Sequence, residues 1–111
     1  MSAGIYNFTL NQGATFTRQL TVKENNSPLN LTGHTAAMQL RSTYDSATVA
    51  LSMTAAVINA TQGILSISAT ATATAALEEG IYVYDLEITT SAGVVTRLLQ
   101  GQVTVSPEVT R

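Results

Sequence analysis

The run Gly80-Ile81-Tyr82-Val83-Tyr84-Asp85-Leu86-Glu87-Ile88-Thr89 alternates with a period of two. Tyr82, Tyr84, Leu86 and Ile88 share one face; Ile81, Val83, Asp85 and Glu87 share the other. A period of two is that of an extended strand, and its aromatic and branched residues suit a sheet. Ser91-Ala92-Gly93 then turns the chain, and Val94 to Val105 returns. This predicts a hairpin with Gly near the end of its loop. If Thr90 pairs with Val94, Glu87 faces Arg97 and Val83 faces Gly101. An opposite-charge pair there adds about a few tenths of a kcal/mol and fixes register. Gly101 within the returning strand predicts a bulge. Ser106-Pro107 ends the sheet.

Upstream, the same period recurs. Tyr6, Phe8 and Leu10 oppose Asn7 and Thr9, and Asn11-Gln12-Gly13 breaks the run. From Thr15 to Lys23, Phe16, Leu20 and Val22 share a face with Arg18. A cation on an apolar face is the exception in that strand, and snorkelling at a sheet edge accounts for it. Glu24-Asn25-Asn26-Ser27-Pro28 is a turn, and Leu29 to Gly33 is a short extended piece. Thr35 to Arg41 is a strand with Ala36, Met38 and Leu40 on one face. Residues 41–47 are a polar loop. Thr48 to Met53 and Ala56 to Ile58 read as two short strands, and Ile64 to Ser68 as another.

Residues 68–79 are rich in Ala and Thr and end in Ala75-Ala76-Leu77-Glu78. Ala and Leu favour a helix, with Ser68 or Thr70 as its cap and Gly80 as its stop. A short helical turn near residues 69–78 is therefore expected between strands. Seven to nine short strands separated by turns predict an all-β chain, an antiparallel immunoglobulin-like β-sandwich. With no Cys and no Trp, it lacks the hallmarks of an antibody-type domain.

The 111 residues fit a single domain, 1–111, with residues 1–5 and 107–111 as arms. Charged residues are 11% of the chain, against about 25% in an ordinary soluble domain. Such a surface is either rich in Thr, Ser, Asn and Gln or covered by neighbouring subunits. The formal charge is −2, and Arg18, Lys23, Arg41, Arg97 and Arg111 are scattered. Neither feature suits phosphate binding, so nucleic acid is not expected as a partner. Met1 to Ile5 carry no secretory leader pattern, and no run reaches the ~18 apolar residues of a spanning helix. A membrane is not expected either. The four Asn-X-Ser/Thr sequons, at Asn7, Asn25, Asn30 and Asn59, match chance in so Thr-rich a chain.

Catalytic machinery is scarce. His34 is the single histidine and follows a Gly, which places it in a loop; a general base needs a nucleophile or carboxylate partner. The absence of Cys and the lone His leave too few ligands for zinc. Asp85 and Glu87 stand on one strand face, roughly 7 Å apart. A carboxylate pair of this kind serves glycoside hydrolysis, but a solvated strip paired with Arg97 explains it as well. Glu78-Glu79 lacks the further oxygens calcium needs. No catalytic residue, metal or cofactor is expected. Tyr44 in the polar loop and Tyr6 near the start are candidate interface anchors, since Tyr gives large contact area at low entropic cost. Ile5, Pro107 and Val109 join them as interface candidates in the two arms.

Asn7-Phe8-Thr9-Leu10-Asn11-Gln12-Gly13-Ala14-Thr15-Phe16 reads as strand, turn and strand. Ser27-Pro28-Leu29-Asn30-Leu31-Thr32-Gly33-His34-Thr35 follows, and the chain closes on Tyr84-Asp85-Leu86-Glu87-Ile88 and Val95 to Thr110. This combination resembles small virion proteins of tailed bacteriophages. It is similar in layout to the immunoglobulin-like N-terminal domain of the phage baseplate upper protein, which docks receptor-binding fibres onto the baseplate. The resemblance implies a non-enzymatic structural component of the virion, assembled in the bacterial host cytoplasm. It implies an adaptor or docking subunit of tail, baseplate or fibre attachment, whose partners are other phage structural proteins and copies of itself. A carbohydrate- or ligand-binding β-sandwich and a head or neck decoration protein are the alternatives. With 5% aromatics and no Trp, the chain is poorly equipped for a sugar platform.

Overall fold

In a computed structural model, the alternating run becomes β9 (Gly80–Thr89), a central strand with its aromatic and aliphatic face turned inward. The structure describes residues 4–24 and 26–109. Before β9 come β1 (Gly4–Ile5), β2 (Phe8–Asn11), β3 (Phe16–Thr21), β4 (Lys23–Glu24) and β5 (Ser27–Pro28). They are followed by β6 (Thr35–Arg41), β7 (Leu51–Asn59), β8 (Ile64–Ala69) and the helix α1 (Ala71–Ala75), and β10 (Val95–Ser106) comes last. The main sheet runs β1-β10-β9-β6-β7-β8-β3, with β2 also on β10; β4 and β5 form a separate small hairpin. The chain is all-β apart from α1, as its periodicity predicts.

The sheet is mixed. Most junctions are antiparallel, but β1 and β2 run parallel to β10. Side-chain period marks a strand without marking its direction, so the parallel junctions had no signal in the sequence. Gly4 and Ile5, assigned above to an arm, pair with Leu99 and Gln100. Residues 1–3 and 110–111 of the two arms lie outside the described residues.

One nine-residue strand, β7, stands where two short runs were expected. Its first part pairs with β6 (Met38 with Met53), and its later part pairs with β8 (Thr54 with Ser68). Small residues at Thr54 to Ala56 carry the chain from one layer to the other without a break. The sheet thus curls over its own core. Leu10, Leu40, Leu65, Ile67 and Val103 are fully buried there, with Leu31, Met38, Tyr84, Leu86 and Ile88 packed among them. The curl continues until the two ends of the strand order meet: Phe8 of β2 stacks on Phe16 of β3, with ring centres 5.2 Å apart.

The helix begins where the sequence places it. Thr70 caps it, its Oγ1 accepting from the Ala73 amide at 3.1 Å. It ends at Ala75, before Gly80, and Gly80 instead opens β9 at a φ of 144°. Thr74 is fully buried and donates from Oγ1 to the Ala14 carbonyl at 2.8 Å, tying α1 to the β2–β3 turn.

The hairpin keeps its expected start. The Thr90 amide donates to the Val94 carbonyl, and Arg97 faces Glu87. A register shift then falls between Arg97 and Leu99, so Gly101 faces Tyr84 and Val83 faces Gln102. The bulge is therefore at Leu98 and not at Gly101. It lets two consecutive leucines lean against the core, which strict alternation forbids. Gly101 has another reason to be Gly. A Cβ there would lie 2.4 Å from the Tyr6 carbonyl oxygen and 2.7 Å from Asn7 Oδ1. The chain leading into β2 crosses directly over it. Replacing Gly101→Ala should therefore destabilise the fold by about 1–3 kcal/mol. A urea titration should show a lower midpoint with unchanged slope; an unshifted midpoint would show that the N-terminal segment does not press on β10.

Candidate docking surfaces

The five interface candidates do not form one patch. Ile5 is 77% exposed and lies beside Gln100 on the β10 edge. Tyr6 is half-buried just after it. Pro107 and Val109 follow β10, and Val109 is 90% exposed. Along β10 these two ends are roughly 20 Å apart at strand spacing. Tyr44, 67% exposed, stands in the β6–β7 loop over the outer face of β6 and β9.

That outer face carries the polar residues that raised a catalytic question. Arg97 Nε lies 3.5 Å from Asp85 Oδ2, so the ion pair is with the diagonal neighbour and not with Glu87 directly opposite. Both partners are substantially exposed, so the pair contributes at most about 1 kcal/mol. Arg41 donates to the Ser46 carbonyl at 2.9 Å and to Gln39 Oε1 at 3.0 Å, which fixes the loop bearing Tyr44. His34 Nδ1 is 3.3 Å from the Thr32 carbonyl. Among the described residues no three His, Asp or Glu side chains gather to hold a metal.

Two further places were not legible in the sequence. At one end of the sandwich, Gln12 works as a clamp. Its Nε2 donates to the Leu77 carbonyl at 2.8 Å, and its Oε1 accepts from the Glu108 amide at 2.9 Å. This side chain ties the segment after β10 to the segment after α1. The other place is the seam between the two ends of the strand order. Tyr6 and Phe8 stack at 5.6 Å between ring centres, and Phe8 continues onto Phe16. Arg18 reaches across from β3, donating to the Tyr6 hydroxyl, with its guanidinium 5.4 Å from the centre of the Phe16 ring. Beside this stack opens a cleft of about 420 Å³, lined mainly by Tyr6, Leu20, Val22, Leu86, Leu98 and Leu99. The one sequence cue to this seam is Arg18 on an apolar face.

Tyr84 anchors the seam from below. Its side chain is 2% exposed, and its hydroxyl donates to the Tyr6 carbonyl at 2.6 Å. Burial, with a smaller contribution from nearby Tyr44, pushes its pKa up to about 12.

A model of the BppU N-terminal domain family matches residues 3–79. The chain belongs to this family. It is thus a structural protein of the phage baseplate and part of the virion, associating there with other phage structural proteins. Among solved structures, CopC from Methylosinus trichosporium OB3b superposes with a TM-score of 0.50 at 14% identity. That match covers 99% of this chain and 90% of CopC, and it shows a common fold alone. An internalin-like protein of Listeria monocytogenes gives a TM-score of 0.47 at 14% identity, over 94% of this chain and 28% of its own. No curated protein sequence matches the chain.

The Tyr84 hydrogen bond makes a pH prediction. A tyrosine raised from its ordinary value near 10 stabilises the fold fully below about pH 10, and loses that contribution as pH rises through about 12. Tyr84→Phe should cost about 1 kcal/mol at neutral pH and flatten the fall in stability between about pH 10 and 12. Denaturant melts across that range measure both; an equally steep fall in the variant would deny Tyr84 this role.

Proposed function

We propose that this BppU N-terminal domain is a non-enzymatic adaptor that docks tail or fibre-attachment subunits onto the baseplate. It acts in several copies and binds proteins, neither nucleic acid nor membrane. The observation that carries the reading is the family match, joined to a surface with little charge and a β3 edge that no described strand partners. Exposed apolar side chains at Ile5, Ile81, Val94, Val95 and Val109 suit protein contacts more than open solvent. Residues 1–111 act as a single domain in this reading, with Pro107 to Val109 and the N-terminal segment available to neighbours. Virion assembly takes place in the host cytoplasm.

The strand order supports an immunoglobulin-like description. β3, β8 and the later half of β7 stand where strands B, E and D of such a sandwich stand, and β6, β9 and β10 where C, F and G stand. Tyr44 is the single strongly exposed aromatic among the described residues, too little for a sugar-binding platform.

Light scattering coupled to size exclusion tests the adaptor reading, with the domain alone and mixed with baseplate structural proteins of a phage that carries it. A closed oligomer or a stable co-complex is expected. A monomer that joins none of them would contradict the reading.

A further inference from the structure

A strand irregularity builds one wall of the cleft beside the ring stack. Leu98 and Leu99 are consecutive in β10, and strict alternation would send one of them to the outer face. The bulge between Arg97 and Leu99 lets both line the cleft, together with the buried Leu86 of β9. Leu20 and Val22 stand on the other side. The Val22 amide donates to the Gly63 carbonyl at 2.7 Å, and the β8 ladder runs through the alternate amides of Phe16, Arg18 and Leu20, so this wall is held from behind. The volume, about 420 Å³, lies in the range of built binding sites.

One lining residue is charged. Lys23 is the single lysine of the chain and stands exposed at the cleft. It belongs to the separate β4–β5 hairpin, so the alternation of β3 does not set its direction. No lining residue is acidic, and among the described residues no carboxylate pairs with Lys23. Arg18 does not line the cleft. It donates to the Tyr6 hydroxyl and holds that ring in the wall. The cleft is thus complementary to an apolar body with a single anion at one end.

An internal segment of a partner chain carries its anions on side chains, and alternation turns these outward when the apolar ones face inward. A chain end has no such restriction, because its α-carboxylate is on the backbone beside the last side chain. Capture of a terminal carboxylate is a recurring mode of peptide recognition. The partners of this domain are other phage structural proteins, which favours the end of a protein over a free fatty acid of similar chemistry.

We propose that the cleft binds the C-terminus of a partner structural protein that ends in apolar residues. Its last side chains enter among Leu20, Val22, Leu86, Leu98 and Leu99, and its α-carboxylate meets the Lys23 ammonium. The proposal rests on the adaptor reading and names what the adaptor holds.

Three probes test it: the peptide acetyl-Gly-Ser-Gly-Leu-Leu with a free carboxylate, the same peptide amidated, and laurate. NMR supplies two readouts. One is the methyl signals of Leu20, Leu86, Leu98 and Leu99. The other is the signal of Lys23 after isotope-labelled dimethylation, which keeps its charge. The free-acid peptide should shift both in a saturable way. Amidation should weaken binding about fivefold, and added salt should weaken the acid more than the amide. Lys23→Gln should weaken the acid about fivefold and the amide little, a coupling that the double-mutant cycle isolates. Gly4→Phe tests the cleft itself. Gly4 is exposed, and a Cβ there would lie 3.2 Å from Leu99 Cδ2, so the new ring enters the cleft. Peptide binding should be lost and signals elsewhere unchanged. If that variant unfolds, the Lys23→Gln cycle decides alone.

Equal binding of acid and amide, or binding of neither, would overturn the proposal, as would an unmoved Lys23 signal at saturating acid peptide. Laurate binding in a cleft that both peptides ignore would overturn it in favour of a fatty-acid pocket. A co-complex with baseplate proteins that survives Lys23→Gln and Gly4→Phe undiminished would overturn it and leave the adaptor reading intact. An unaltered domain that joins no baseplate protein would remove the adaptor reading, and this proposal with it.

Discussion

The stack of Phe8 on Phe16, 5.2 Å between ring centres, closes a sheet whose ends do not hydrogen-bond to each other. Elsewhere the fold is held by backbone ladders, in which partners satisfy one another. At this junction the work falls to side chains alone: Tyr6, Phe8, Phe16, Arg18 and the Tyr84 hydroxyl beneath them. Contacts of this kind exclude water from the core but leave edge amides and carbonyls open. The core, the cleft and the free edge of β3 all follow from that one choice. Gly101 belongs to it too, since only a residue without a Cβ lets the Tyr6 carbonyl approach β10 and meet Tyr84.

Much of the framework was legible because it is local. The β9 face of Tyr84, Leu86 and Ile88 is buried as its alternation says, and Thr70, one of the two caps expected, starts the short helix, although that helix ends at the first residue of the Ala75-Ala76-Leu77-Glu78 run that pointed to it. The Thr90 to Val94 turn sets the hairpin register as far as Arg97. What escaped is non-local. Gly101 signals either a bulge or a close approach, and only the position of Tyr6, far away in the chain, decides between them. Leu98 and Leu99 gave the true cue to the bulge, as consecutive large apolar residues in an alternating strand. The parallel run of β2 beside β10 and the continuity of β7 through Thr54 and Ala55 depend on which strands meet, and period carries no such information.

The candidate site was less legible for the same reason. Its cleft gathers Tyr6, Leu20, Val22, Leu86 and Leu98 from four separate stretches of sequence. Each reads by itself as an ordinary core residue. Arg18 alone was out of place, and its position over two aromatic rings explains why an apolar face tolerates it. The anchors that composition suggested, Ile5, Tyr44 and Val109, are exposed but lie apart from one another. In the adaptor role proposed above, contacts are spread over the surface and not gathered in one patch. The domain offers an edge, a cleft and terminal segments at different places, which suits a part held among several neighbours.

The central claim is that side chains close the seam and that β3 keeps an open edge. Amide hydrogen exchange of the free domain, read residue by residue along β3, tests it most directly. Alternation is expected: slow exchange at Phe16, Arg18, Leu20 and Val22, whose amides face β8, and fast exchange at Thr17, Gln19 and Thr21. Uniform protection along the strand would contradict it, because the edge would then already be paired.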